Sequence, residues 1–171
     1  MMLLNRSSAA MDKLIASLQN KFPGLKFTAG RQFSWSPESG EIFYRAGSKN
    51  QESLWSLLHE TGHAALGHTS YRSDFELLQM ELAAWQHASR LGQEHGIKID
   101  EEHIQDCLET YREWLYKRSI CPNCGTKCLQ QDDSARYGCH NCGASWQVSS
   151  DRFARTYRRH ASLPQIEESP L

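Results

Sequence analysis

The sequence predicts an α+β fold in which a small mixed or antiparallel sheet packs on three main helices and is followed by a small four-cysteine module. Three observations lead to this prediction. Residues 25–47 alternate apolar and polar side chains around Pro-Glu-Ser-Gly at 37–40, a pattern typical of strands joined by a hairpin. Residues 48–115 carry apolar side chains at helical spacing. After residue 118, cysteines, glycines and short polar runs replace that pattern.

Helix boundaries are predicted from capping residues. A short amphipathic helix is predicted over 11–20, ahead of the strands. Ser48 and Gln51 fit a capping box for the first main helix, and Gly67 supplies its C-terminal stop.

The other two main helices begin with similar signals. Ser73 and Glu76 fit a second capping box for a helix over about 74–92. Asp100 is expected to cap the third, on which an apolar stripe runs from Ile104 to Leu115.

The chain is predicted to divide into residues 1–118, residues 119–150, and a basic segment with a disordered tail over 151–171. Residues 1–111 hold 10 Lys and Arg against 14 Asp and Glu, whereas residues 112–160 hold 9 against 4. Within the third segment, 151–160 are predicted to form one or two basic helical turns. A basic rear part fits either nucleic-acid contact or a solvated surface.

The composition is that of an ordinary soluble globular protein, with 39% hydrophobic and 23% charged residues. No apolar run approaches the roughly 20 residues of a membrane span, and the opening Met-Met-Leu-Leu is too short for a secretion signal. We therefore expect a cytoplasmic protein with no membrane partner. In that setting the six cysteines favour metal ligation over disulfides.

The stretch "LLHETGHAALGH" at 57–68 contains the pattern HExxH. His59 and His63 are four residues apart on a helix, so both imidazoles can reach one metal ion. Glu60 lies about 100° around the helix from His59, the position of a base that acts on metal-bound water. The apolar neighbours predict that these polar groups are partly buried, where a metal ligand would satisfy them.

A catalytic zinc ion needs a third protein ligand. Glu81 lies among apolar residues of the next helix, so its carboxylate is expected to face the core, and we predict it as the ligand. Glu76 is the competitor but is accounted for by its capping box, and a salt bridge with Arg45 is the alternative for Glu81. His68 is the nearest histidine, although it follows the glycine that ends the helix.

Two CxxC pairs, "CPNCG" at 121–125 and "CHNCG" at 139–143, predict a zinc ribbon. Its ligands are predicted to be Cys121, Cys124, Cys139 and Cys142. Such a site is structural, because about thirty residues cannot build a sufficient core alone. With the HExxH site, two zinc ions per chain are expected, one catalytic and one structural. Cys107 is predicted to be a core residue. Cys128 fits either a spare metal ligand or a small core residue, the latter being favoured.

The partner of the ribbon is left open between nucleic acid and protein. Tyr137 and Trp146 fit either base stacking or the ribbon's own core, the latter being favoured for Trp146. Among the basic residues that follow the ribbon, Arg155, Arg158 and Arg159 are the candidate contacts to nucleic acid or a protein partner.

The stretch at 57–68, together with "DFELLQMELAAWQHA" at 74–88, resembles the ImmA/IrrE-type metallopeptidases over about residues 25 to 95. The resemblance implies a zincin-like domain with HExxH on one helix and a glutamate ligand on the next. It also implies a cytosolic enzyme that cuts a regulatory protein, such as a transcriptional repressor. The family usually has Glu-Ala and then Phe, whereas this chain has Glu81-Leu82-Ala83-Ala84-Trp85.

The function predicted is a zinc-dependent endopeptidase in which Glu60 assists the attack of zinc-bound water on a peptide carbonyl. Candidate donors to the oxyanion are His68, Tyr71, His87 and His103. HExxH joined to a ribbon also resembles the SprT-like proteases that act on DNA-bound proteins. That family expects a third histidine in an HGxx-aromatic setting, whereas His95-Gly96 is followed by Ile99. The other alternative is a non-catalytic nucleic-acid or protein adaptor with a vestigial site.

Overall fold

The computed structural model describes residues 6–128, 133, 135–149 and 158–160, with the backbone alone for 6–8 and 158–160. The α+β prediction is confirmed. The helices are α1 (Arg6–Lys21), α2 (Gln51–Ala65), α3 (Asp74–Glu94) and α4 (Glu101–Ser119). The strands are β1 (Lys26–Gly30), β2 (Ser34–Ser36), β3 (Glu41–Arg45), β4 (Arg136–Gly138), β5 (Ser145–Val148) and β6 (Arg158–His160). None of the helices in the described part of the chain is long and apolar enough to cross a bilayer.

The described residues fall into two compact units. The first unit contains the described part of Met1–Ser70 together with Gln79–Gln105. The second contains Tyr71–Leu78 and the described part of Asp106–Leu171. The domain boundaries expected from composition stay a prediction.

The sheet of the first unit is mixed and has the strand order β1-β3-β2. β2 and β3 form the expected antiparallel hairpin, which closes as the Gly40 N–H donates to the Ser36 carbonyl at 3.0 Å. β1 pairs parallel with β3 and leaves β2 at the other edge. Helix α2 contacts β2 and β3, and Ile42 of β3 is fully buried. The edge strand β2 therefore lies beside the helix that carries HExxH.

Helix α2 begins two residues later than the predicted cap would place it. The N-cap is Asn50, whose side chain accepts the Ser53 N–H at 3.2 Å, so the predicted box of Ser48 and Gln51 is wrong. Asn50 has the extended backbone that lets a capping side chain reach forward. The stop at Gly67 is confirmed, since its φ of +66° is in the left-handed region that ends many helices.

The caps of α3 and α4 are confirmed. The Ser73 hydroxyl accepts the Glu76 N–H at 3.2 Å, and the Asp100 carboxylate accepts the Glu102 N–H at 3.2 Å. The Glu76 carboxylate accepts the Arg72 N–H at 2.7 Å, so it reaches one residue beyond the Ser73 N–H of a standard capping box.

Helices α2 and α3 approach most tightly where Gly62 meets the backbone of Ala84. A Cβ atom added at Gly62 would lie 2.5 Å from the Ala84 carbonyl oxygen, closer than any non-bonded contact allows. The interior glycine is therefore a packing requirement. Leu58 and Ala84 at this interface are fully buried.

In the second unit, Leu77 of α3 packs with Trp114 and Leu115 of α4. The antiparallel sheet β4-β5-β6 has its own core, in which the Tyr137 and Trp146 rings stack at 5.4 Å. The predicted basic helical turns over 151–160 are wrong for Arg158–His160, which pair with β5 as strand β6. Residues 151–157 and 161–171 lie outside the described residues.

Hydrogen bonds and a cation–π contact join the small sheet to helix ends within the second unit. The Tyr137 hydroxyl donates to Asp74 Oδ2 at 2.6 Å, and the Trp146 indole N–H donates to the Arg118 carbonyl at 3.0 Å. The fully buried Arg118 guanidinium lies 5.8 Å from the centre of the Tyr137 ring of β4, and 4.1 Å from the centre of the Trp114 ring of its own helix. Burial raises the pKa of Asp74, although the bond from Tyr137 and the nearby charge of Arg118 oppose it.

We expect Gly62→Ala to destabilise the protein by about 1–3 kcal/mol, because the new methyl group must push α3 away from α2. The control is Gly24→Ala, since an added Cβ there meets no atom within 4 Å. The free energy of unfolding, measured in urea, checks both variants. A Gly62→Ala protein as stable as the Gly24→Ala protein would show that the two helices do not pack this closely.

Candidate metal centres

Helix α2 presents two imidazoles to one point in the first unit. His59 and His63 are one turn apart and only 8% and 9% exposed. Their Nε2 atoms lie 3.1 Å apart, and the ring planes are nearly perpendicular. Two ring nitrogens at this separation share either a proton or a cation.

Helix α3 adds a carboxylate at the same point. Glu81 Oε2 lies 3.2 Å from His59 Nε2, and Glu81 Oε1 lies 3.6 Å from His63 Nε2. Ligands of a tetrahedral zinc ion with bonds of about 2.0–2.1 Å would be about 3.3 Å apart. The spacing of the donor atoms therefore fits a metal of this size.

The electrostatics of the cluster favour a bound cation. Glu81 is only 5% exposed, and burial by itself would raise the pKa of its carboxyl. Hydrogen bonds and charge from His59 and His63 outweigh burial and hold the pKa of Glu81 well below its usual range. An ionised carboxylate in an apolar interior needs positive charge beside it.

Each imidazole is held in a different way. The His59 ring stacks on the buried Trp85 ring, with centroids 4.1 Å apart and planes 25° apart. Its Nδ1 atom is buried and has no hydrogen-bond partner in the described part of the chain. Trp85 in turn meets His103 edge to face at 5.6 Å. Aromatic stacking therefore orients His59.

His63 is held by a hydrogen bond from beyond the cluster. Its Nδ1 lies 2.9 Å from His68 Nδ1, so one of these atoms donates and the other accepts. If Nε2 of His63 offers its lone pair to a metal, the ring proton is on Nδ1 and His68 is the acceptor. Burial lowers the pKa of His68, as does the neighbouring His63, which favours a neutral acceptor. The structure thus makes His68 the partner of His63 instead of a third ligand.

The carboxylate of Glu60, the residue that follows His59, is held by the edge strand. Its Oε2 atom accepts the backbone N–H of Trp35 in β2 at 2.8 Å. The indole N–H of Trp35 donates to the carbonyl of His68, also at 2.8 Å. One residue of β2 therefore positions both Glu60 and His68.

Two other candidates from the sequence are not part of this unit. Glu76 and Tyr71 belong to the second unit, and Tyr71 packs on the cluster formed by Leu77, Trp114 and Leu115. Among the described residues, the donor atoms of His59, His63 and Glu81 form one of two groups that could hold a metal ion.

The second such group is the four cysteines, whose sulfur atoms all lie within 4.8 Å of one another. Cys121 Sγ lies 3.7 Å from Cys142 Sγ, and Cys124 Sγ lies 3.5 Å from Cys139 Sγ. Sulfur ligands of a tetrahedral zinc ion would be about 3.8 Å apart, with Zn–S bonds of about 2.3 Å. The four thiols are thus arranged as a closed site.

The two CxxC turns have nearly the same backbone. Gly125 and Gly143 have φ of +73° and +72°, and each donates its N–H to the carbonyl of the first cysteine in its own turn. The N–H of Cys121 donates to Thr126, and that of Cys139 donates to Ala144. These two turns are called the knuckles below.

Two residues at this site were not singled out in the sequence. Asn123 of the first knuckle donates to Cys142 Sγ at 3.5 Å, and Asn141 of the second lies 3.6 Å from Cys124 Sγ. The detectable signal is the shared pattern Cys-x-Asn-Cys-Gly in "CPNCG" and "CHNCG". A single knuckle gives no hint that its asparagine reaches across to the other.

The four thiols differ in acidity. Hydrogen bonds from Thr126 and Asn141 lower the pKa of Cys124 to about 5, and the Asn123 amide lowers the pKa of Cys142. Burial raises the pKa of Cys121 to about 11. The two thiols that receive side-chain amides are therefore the more acidic ones.

The other ribbon candidates are only partly described. Tyr137 and Trp146 are 1% and 0% exposed, so their rings form the core and are not available for base stacking. Cys128 is in the same core, and Cys107 is half-buried on α4. Arg155 lies outside the described residues, and only the backbone of Arg158 and Arg159 is described.

Comparison with protein-family models, with curated proteins and with solved structures finds no match to this chain. The geometry therefore establishes two candidate metal sites within an α+β fold, one made of His59, His63 and Glu81 and the other of four cysteines. The resemblance to a peptidase family stays a prediction.

We expect Glu81→Ala to lower the metal content from two ions per chain to one, because it removes a donor of the first candidate site. Glu76→Ala should keep both ions and cost at most about 1 kcal/mol of stability, since Glu76 only supports the start of α3. Elemental analysis after dialysis checks both variants. Loss of an ion from the Glu76→Ala protein alone would contradict the assignment.

We expect His68→Ala to weaken metal binding at the first site by about 10–100-fold, because His63 loses the partner that fixes its ring. His68→Asn should restore most of the affinity, since its amide oxygen can accept in place of Nδ1. Metal occupancy measured over a graded series of free zinc concentrations gives the affinities. Equal affinity in the wild type, His68→Ala and His68→Asn would show that His68 does not position His63.

Proposed function

We propose that this protein is a cytosolic zinc-dependent endopeptidase that cleaves a specific regulatory protein, such as a transcriptional repressor. The observation that carries the proposal is the convergence of the donor atoms of His59, His63 and Glu81, which lie 3.1–3.6 Å apart. Glu60 is on α2, the helix that carries the two histidines. A site with three protein donors leaves a position for water and substrate, as catalytic zinc requires.

The donor set supports zinc in both sites. Two imidazoles and a carboxylate are a recurring ligand set of catalytic zinc, and four thiolates are typical of structural zinc. A zinc ion in the first site would act as a Lewis acid on a peptide carbonyl and lower the pKa of water.

Glu60 is the proposed general base. Its Oε2 atom is held by the Trp35 N–H, which leaves Oε1 to take a proton from the attacking water. As the oxygen of that water bonds to the carbonyl carbon, Glu60 passes the proton to the amine nitrogen and the C–N bond breaks. Trp35 thus holds the base in place during both transfers.

The third member of the cluster bears on which family the protein resembles. A glutamate from the next helix fits the ImmA/IrrE-type arrangement, whereas the SprT-like proteases use a third histidine. Glu81 lies beside the two histidines, and His68, the histidine nearest to the helix, bonds to His63 instead. This arrangement supports the first resemblance over the second.

The ribbon is proposed to recognise the substrate or a nucleic acid to which the substrate is bound. Because Tyr137 and Trp146 are buried, recognition would have to use other residues, such as the exposed Lys127. Arg155, Arg158 and Arg159 are the residues to test first.

We expect Glu60→Gln to keep the fold and both metal ions but to abolish cleavage, because an amide cannot accept the proton of water. The matched control is Glu52→Gln, on the exposed side of the same helix. The Glu60→Gln variant is isolated from cells, and the proteins that remain bound to it are identified. Each of these retained proteins is then incubated with the purified wild-type protein. Cleavage at one new amino terminus, lost on zinc chelation, is the expected result.

Two outcomes would overturn this proposal. If Glu60→Gln and Glu52→Gln cleave a retained protein equally well, Glu60 is not the base. The second outcome has two parts. The wild type cleaves none of the retained proteins, and the cellular phenotype survives Glu60→Gln but disappears when Arg155, Arg158 and Arg159 are replaced together. The adaptor alternative would then replace the peptidase.

A further inference from the structure

The four cysteine residues of this site differ in their exposure to solvent. Cys121 and Cys139, the first cysteines of the two knuckles, are buried. Cys124 and Cys142, the second cysteines, are exposed. Any thiol-directed reagent or competing chelator therefore reaches the site through Cys124 and Cys142.

The side-chain amides of Asn123 and Asn141 are placed at these two exposed sulfurs. Each asparagine directly precedes the second cysteine of its own knuckle, yet its Nδ2 atom contacts the second cysteine of the other knuckle, at 3.5 and 3.6 Å. The two contacts are reciprocal and differ by only 0.1 Å, although the flanking residues Pro122 and His140 differ completely. The arrangement therefore follows from the asparagine and not from the rest of the turn.

A metal site of four thiolates and one divalent ion carries a net charge of about −2, which donors around the sulfurs must offset. An amide N–H that points at an anionic sulfur makes a charge-assisted hydrogen bond and draws electron density from it. A sulfur with less available electron density is a weaker nucleophile, and the amide that donates to it also holds it in its ligating position.

We propose that Asn123 and Asn141 are paired positioning residues, each of which braces the exposed thiolate of the opposite knuckle and so protects the four-cysteine site against metal loss and electrophiles. The pairing also joins the two knuckles directly, so a disturbance of one weakens the sulfur of the other. This role is independent of whether the first site is catalytic.

The test uses the full-length, zinc-loaded protein and N-ethylmaleimide as the probe. In the reaction the thiolate sulfur bonds to one alkene carbon, the π bond breaks, and the other carbon takes a proton from water. Zinc release is followed with a chromogenic chelator, and the first cysteine to be alkylated is identified by mass spectrometry. Zinc affinity is measured by competition in the absence of the reagent.

The variants separate hydrogen bonding from shape. Asn→Ala at either position removes the donor, and we expect zinc release about 10-fold faster. Asn→Asp keeps the shape but places a carboxylate oxygen against the thiolate, so its release should be faster still. His140→Ala alters an exposed residue of the same knuckle and should release zinc at the wild-type rate.

The position of the first alkylation is the decisive readout. Asn123→Asp should direct the reagent to Cys142, and Asn141→Asp should direct it to Cys124. Alkylation that shifts to a cysteine within the same knuckle would overturn the proposal, as would an Asn→Asp variant that behaves like the wild type. If a variant is purified without zinc, its zinc affinity in the reduced state is compared with that of the wild type. We expect the affinity to fall in the order wild type, Asn→Ala, Asn→Asp. The reverse order would contradict the proposal.

Discussion

The close approach of α2 and α3 at Gly62 is the constraint on which the first metal site depends. The two histidines are fixed relative to each other by one turn of α2, but Glu81 belongs to α3 and reaches them only if the helices almost touch. With the Ala84 carbonyl in the space that a side chain would need at Gly62, the donor atoms lie 3.1–3.6 Å apart. A separation of the helices by one methyl diameter would open this cluster beyond the reach of one ion.

The two candidate sites handle buried charge in opposite ways. The first gathers a buried carboxylate and two imidazoles from two helices, where a bound cation would offset the charge of the carboxylate. The second gathers four thiols from two short turns, with glycines and amides as support. The first site offers three donors and the second four; three protein donors are typical of reactive metal sites, and four thiolates are typical of structural ones.

Sequence periodicity was sufficient for the parts that depend on neighbours along the chain. The helical spacing of His59 and His63, the left-handed glycine that ends α2 and the CxxC pairs all follow local rules. Contacts between distant segments could not be obtained in this way. The parallel pairing of β1 with β3, the bond between His68 and His63, and the crossed amides of Asn123 and Asn141 each depend on tertiary packing. The Asn50 cap was missed for a different reason, since Ser48, Asn50 and Gln51 offer several competing polar side chains within four residues.

Trp35 connects the sheet to both sides of the first site. Its main-chain N–H holds the Glu60 carboxylate, and its indole N–H holds the carbonyl of His68, whose ring in turn bonds to His63. A displacement of β2 would therefore move the carboxylate and disturb a metal-facing imidazole together. The backbone bond to Glu60 is available to any residue except proline that fits the strand, but the bond to His68 needs a side chain with a donor. Tryptophan supplies that donor on a large, rigid ring, which gives a physical reason for this residue at the edge of the sheet.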